Sequence, residues 1–278
     1  MRSKLFVPAS RSELFAKAMA SQADAVSFDI EDAVPERHKA EARAQLAAFL
    51  GSVHGHGKTV IVRVNAPSTP HFEADLSALA GLPVDLVNLP KIEGADEVAA
   101  AVDAMARVFP KGFAPDLLLN IETPAGLRNA AGIARAHPRV AGLQLGLGDL
   151  FEAQGIDRRD AANVHAAMYA LRMAAAEAGV FACDSAWADV RDEAGFRAEA
   201  GIARRLGFVG KSCIHPLQVA LANEIFSPNA EEVAMARRIV DAAAHAAERG
   251  HGAFLVDGRM VDPPYLRRAQ AILAAAKA

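Results

Sequence analysis

Cysteine is scarce in this chain: Cys183 and Cys213 are the only two, and they fall in different segments. That excludes a disulfide framework and suits a reducing cytosol. Charge of neither sign dominates. Lys and Arg number 30 against 33 Asp and Glu, a formal net charge of −3. There is no basic footprint for nucleic acid, and an anionic ligand has to be held by local charges rather than a global field. No uncharged apolar stretch approaches the length of a membrane span. The start, MRSKLFVPASRSELFAKAMA, has only a short apolar core before Pro8 and lacks the h-region of a signal peptide. A soluble cytoplasmic protein is the expectation.

What is present is apolar. Hydrophobic residues make up 52% of 278, ample for one large core. Five apolar runs stop at a charged or amide residue: AVSFDIED (25–32), VIVRVN (60–65), LVNLPKIE (86–93), LLLNIET (117–123) and LQLGLGD (143–149). Runs without alternation read as strands buried on both faces, hence a parallel sheet. Ligands of such sheets bind at the carboxyl ends of the strands. Asp29, Glu31, Asp32, Arg63, Asn65, Lys91, Glu122 and Asp149 are therefore expected on one rim.

Further strands are expected at Lys4–Val7, Val180–Asp184 and Phe208–Ile214. Between them lie Ala-rich helical segments: Ser12–Ser21, Glu36–Leu50, Phe72–Leu79, Ala95–Val108, Leu127–Ala136, Ala161–Ala178, Asp192–Leu206 and Pro216–Ile225. Eight β–α units with short connections suit a (β/α)8 TIM barrel. Ser12 reads as a helix N-cap, and Pro216 as a first helical residue. The barrel is expected over residues 1–226 and a C-terminal helical extension over 227–278. The extension begins with a long helix, Asn229–Arg249, with Gly250 as its cap. A hairpin turning at Asp257-Gly258 follows, then a last helix, Tyr265–Ala276. Such a tail packs on a neighbouring subunit or closes over a site.

Glu122 and Asp149 end consecutive strands, so both carboxylates can reach one metal. Mg2+ is held by one or two carboxylates with waters and substrate oxygens. No His or Cys accompanies them at ligand spacing, which disfavours zinc. The competing reading is that both acids cap helix N-termini. Asp29, Glu31 and Asp32 are costly together unless a cation or water shell relieves them; they read as a second shell holding metal-bound waters, or as an N-cap cluster before Pro35. Arg63 has to be paired if buried. Its fork fits a substrate carboxylate or enolate oxygen, or else one of the barrel acids. Lys91 contacts an anionic substrate or pairs with Glu31 or Glu93. Arg11, Lys39 and Arg43 can meet phosphates, although a solvated helix face accounts better for the last two. Gly146 and Gly148 lack the third glycine of a dinucleotide fingerprint and let backbone approach a ligand. His215 reads as structural rather than as a base, Cys183 and Cys213 as core residues, and Asp262 as a turn residue.

LFVPASR, ADAVSFDIEDAVPERHKAEAR, VRVN, LPKIE, IETPAGL, LGLGDL, LGFVGKSCIHPLQV and GRMVDPP follow one another over nearly the whole chain. In that order they resemble the citrate lyase beta subunit-like family, which includes malyl-CoA and citramalyl-CoA lyases. One departure is Ala9-Ser10, where the family has a glycine after the proline in a loop that would contact substrate or coenzyme.

The resemblance implies a Mg2+-dependent carbon–carbon lyase acting on a β-hydroxyacyl thioester, with coenzyme A as carrier and a 2-keto acid such as oxaloacetate or glyoxylate as product. It matches Glu122 and Asp149 to metal-binding carboxylates, Arg63 to the substrate-binding arginine, and Asp262 to an acid that reaches a neighbouring subunit's site and shuttles a proton. Lys91 and Gly148 are expected to bind substrate, and the assembly is expected to be a homotrimer. An aldolase for free hydroxy-keto acids, or a subunit working on a carrier-bound thioester within a complex, are the alternatives.

Overall fold

The computed structural model describes residues 1–53, 55–110, 112, 114–248 and 252–276. Its contacts divide the chain into two compact units, Met1–Ile225 and Phe226–Ala278.

The first unit is a closed, wholly parallel eight-stranded barrel. Its strands are β1 (Ser3–Pro8), β2 (Ala25–Asp29), β3 (Thr59–Arg63), β4 (Leu86–Leu89), β5 (Asp116–Ile121), β6 (Val140–Leu145), β7 (Phe181–Asp184) and β8 (Gly210–Cys213). β1 closes the ring on β8 through the register Ser3↔Lys211 to Leu5↔Cys213. Helices Phe72–Leu79, Ala95–Val108 and Ala161–Ala178 span the segments that the helical pattern indicates. No helix among the described residues is long and apolar enough to cross a membrane.

The strands are buried on both faces, as their unbroken apolar runs require. Outward, Phe28 packs edge-on against Phe15 of the helix Phe15–Met19, with ring centroids 5.1 Å apart. Inward, Ala25, Ile61, Leu86 and Leu118 form an apolar plug at the amino end of the barrel, with Met1, Ala141 and Phe181 against it. Above this plug the interior turns polar, with Lys4, Ser27, Asn88, Asn120 and Gln144 all buried.

Two local readings are corrected. The run LQLGLGD is not one strand: β6 stops at Leu145 and the short helix Leu147–Glu152 begins. Gly146 makes the break, its N–H donating to the Ile121 carbonyl at 3.0 Å while its own carbonyl accepts from Leu150 N–H. Asp149 thus sits in the first turn of a helix rather than at a strand end. Ser12 is not an N-cap. It opens a single 3-10 turn, Ser12–Leu14, capped by Arg11 without a side-chain hydrogen bond, and the α-helix begins at Phe15.

The second unit contains the helix Ala230–Glu248, a hairpin of β9 (Phe254–Val256) and β10 (Arg259–Val261), and the helix Pro263–Ala275. Asp257 and Gly258 both take positive φ, 51° and 78°, the backbone a two-residue hairpin turn demands. The expected end of the long helix at Arg249 and Gly250 lies outside the described residues. Asp262 precedes the last helix at its N-cap position without a side-chain capping bond, and its Oδ1 has no hydrogen-bond partner among the described residues.

Candidate active site

Phe6, Pro8, Asp29, Arg63, Asn120, Glu122, Gln144, Gly148, Asp149, Arg158 and Ser185 are among the residues that line a cavity of about 520 Å³ at the carboxyl ends of the strands. Glu122 follows β5 directly, and local sequence turns it inward. Thr123 takes the N-cap of the helix Pro124–Ala134, its Oγ1 accepting from Gly126 N–H at 3.0 Å, so the capping alternative for Glu122 is closed. Each Glu122 oxygen accepts one donor: Oε1 from Lys91 N–H at 2.8 Å and Oε2 from Asn120 Nδ2 at 3.1 Å. Burial, with the charge of Asp149 adding to it and Arg63 opposing, pushes the Glu122 carboxyl up to about 7. Gly146 lies so close that a Cβ there would stand 2.6 Å from Glu122 Oε2. The open glycine is Gly148, which has no atom within 4 Å of such a Cβ. Of the two glycines, one makes room for Glu122 and the other for an occupant.

Arg63 is gripped by acids. Its Nε donates to Asp29 Oδ1 at 2.8 Å and its Nη2 to Asp29 Oδ2 at 2.7 Å, while Nη1 lies 3.2 Å from Glu31 Oε2. Asp29 also accepts the backbone N–H groups of Glu31 and Ala33. The FDIED acids are thus engaged by protein: Asp29 orients Arg63, and Glu31 and Asp32 hold Lys91. The Lys91 ammonium lies 2.7 Å from Glu31 and 3.3 Å from Asp32. Its side chain turns to these acids rather than to Glu93 or the cavity, and its backbone, at φ 54°, supplies the donor to Glu122.

Lys39 and Arg43 do not form a solvated face. Lys39 Nζ donates to the carbonyls of Ile30 and Glu31, and Arg43 pairs with buried Asp75, which also holds Asn65. Arg11 pairs with Glu13 at the surface. His215 accepts Leu217 N–H on Nδ1 at a helix start, and both cysteines are buried.

Several buried polar groups escaped the strand-end reading. Asn88 donates to Asn120, and Asn120 to Glu122, a relay through the barrel interior. The signal was present, because Asn120 and Glu122 are two apart on one strand and share a face. Lys4 donates to Gln144 Oε1 and lies 4.1 Å over the Phe6 ring; burial lowers its pKa to about 7. Lys211 pairs with Asp184 at 2.7 Å and with Glu199 at 2.6 Å. Glu199 in turn holds Arg158, which reaches Ser185 Oγ and the Ala186 carbonyl. Arg158 sits in a loop, where no period marks it.

The HpcH/HpaI aldolase/citrate lyase profile matches residues 2–216. The chain belongs to that family. It is an enzyme family: the citrate lyase subunit beta-like protein of Deinococcus radiodurans is 41% identical over 98% of this chain and 96% of its own. A (3S)-malyl-CoA thioesterase of Cereibacter sphaeroides is 38% identical over 100% of this chain and 95% of its own. Among solved structures, CitE of Mycobacterium tuberculosis in complex with magnesium, acetoacetate and coenzyme A aligns over 100% of both chains, with TM-score 0.79 and 33% identity.

Proposed function

We propose that this protein is a Mg2+-dependent carbon–carbon lyase. It cleaves a β-hydroxyacyl-CoA such as malyl-, citramalyl- or citryl-CoA into a 2-keto acid and an acyl thioester, or forms it in reverse. The observation that carries this reading is Glu122, a buried carboxyl pushed up by burial and by Asp149 at the edge of an open cavity. Two repelling carboxylates are relieved by a divalent cation. Both Glu122 oxygens retain lone pairs after their single N–H partners. Two carboxylates suffice for Mg2+, whose remaining positions are completed by waters and substrate oxygens. Glu122 and Asp149 would hold it, and it would supply Lewis-acid polarisation of the keto-acid oxygens.

The chain's own residues do the rest. Arg63, fixed by the Asp29 fork, offers the N–H groups that Asp29 and Glu31 leave free to anionic oxygen as charge develops. Gly148 leaves room for the substrate beside Asp149. Asp262, supplied by a neighbouring subunit of a homotrimer through the 227–278 extension, protonates the acyl-thioester enolate in cleavage or removes that proton in condensation. A cytoplasmic enzyme suits two free, buried cysteines.

The test is incubation with L-malyl-, citramalyl- and citryl-CoA, with Mg2+ or EDTA, and mass spectrometry of the products. Keto acid and acyl-CoA should form with Mg2+ alone. Free coenzyme A with intact hydroxy acid would instead mark a thioesterase, the activity named for the Cereibacter relative. No turnover of any thioester contradicts the proposal.

A further inference from the structure

The floor of the cavity carries a pair that the proposed chemistry does not use. Lys4, fully buried on β1, has Gln144 Oε1 as its hydrogen-bond partner. An ammonium offers only donors, so Gln144 has to present its oxygen downward. Among the described residues the Gln144 side chain has one hydrogen bond, that from Lys4, and the residue is only 3% exposed. Gln144 lines the same cavity as Glu122, Arg63 and Asp149 and stands in cross-strand register with Asn120, the donor to Glu122. An amide that lines the cavity with its oxygen anchored by Lys4 has its NH2 left to donate to an occupant.

We propose that Lys4 and Gln144 form a selectivity floor. Gln144 Nε2 donates to an acceptor oxygen on the keto-acid half beyond the 1-carboxylate and 2-carbonyl, and Lys4 is the positioning residue that fixes the amide's orientation. The pair favours a keto acid bearing a second carboxylate over one bearing only hydrogen or methyl. The proposal rests on the lyase reading and names its substrate class.

The test is calorimetric binding of oxaloacetate and of pyruvate, each with Mg2+, to the intact protein and to Gln144→Met, Gln144→Glu and Lys4→Met. Native-like circular dichroism is required of each variant. The expected result is that the native protein prefers oxaloacetate and that the oxaloacetate-to-pyruvate affinity ratio falls about tenfold in Gln144→Met and Lys4→Met, and further in Gln144→Glu, where an acceptor replaces the donor. A purely structural Lys4 would lower both affinities together and leave the ratio unchanged, overturning the proposal. Ratios within twofold of native in both Gln144 variants overturn it as well. Binding of pyruvate without preference for oxaloacetate overturns the floor but not the lyase reading; binding of neither keto acid overturns both.

Discussion

The Glu122 carboxyl makes the pH dependence of stability a direct probe of the site. Its ordinary pKa of 4.5 is raised to about 7 by burial and by Asp149. The folded state therefore holds this proton more tightly than the unfolded chain. The sign is fixed: the metal-free protein keeps the whole contribution below about pH 4.5, loses it as pH rises, and reaches its floor above about pH 7. At about 1.4 kcal/mol per tenfold in proton affinity, the ionised carboxylate costs roughly 3 kcal/mol. Glu122→Gln removes this titration. The amide has one oxygen for the two donors Lys91 N–H and Asn120 Nδ2, so its absolute stability falls by about 1–3 kcal/mol; the informative quantity is the slope. Urea unfolding in EDTA from pH 5 to 8 should show stability declining in the native protein more steeply than in Glu122→Gln. Mg2+ at pH 8 should restore the native protein alone. Parallel profiles for the two proteins would refute the reasoning.

The remaining expectations concern the supports of the site. Lys211→Met strands Asp184, and leaves Glu199 to Arg158 alone, and should cost about 3–5 kcal/mol in urea unfolding; a loss below about 1 kcal/mol would contradict Lys211 as their counter-charge. Gly146→Ala places a methyl 2.6 Å from Glu122 Oε2 and should weaken Mg2+ binding at least about tenfold by calorimetry with the far-ultraviolet spectrum unchanged, a displaced carboxylate being lost to the metal; native affinity would show that Glu122 is not a ligand. Arg63→Lys keeps the charge but loses the fork on Asp29 and should lower kcat/KM by about 10²–10³, while undiminished turnover would assign Arg63 to structure alone.

The barrel was legible because its strands carry a double-sided apolar signal, and because Asn120, Glu122 and Arg63 interrupt that signal at positions facing inward. The end of β6 was less so. Hydrophobic Leu145 and Leu147 run through the break, and only the hydrogen bonds of Gly146 reveal where strand becomes helix. Partners were harder still. Nothing in FDIED says that Asp29 serves Arg63, or that Lys91 contributes a backbone N–H to Glu122, because such pairings join residues 34 and 31 positions apart and depend on the geometry between strands. Lys4 and Lys211 read as ordinary strand residues in sequence. Their burial follows from the barrel closing between β1 and β8, a long-range event that no local period encodes.

The most direct measurement is anomalous scattering from crystals of the metal-free protein soaked in Mn2+ as a Mg2+ surrogate. One difference peak coordinated by the carboxylates of Glu122 and Asp149, and lost in Glu122→Gln, is the expected result. A peak elsewhere, or none at a saturating concentration with the native cavity accessible, would contradict the assignment of this carboxylate pair as the metal site.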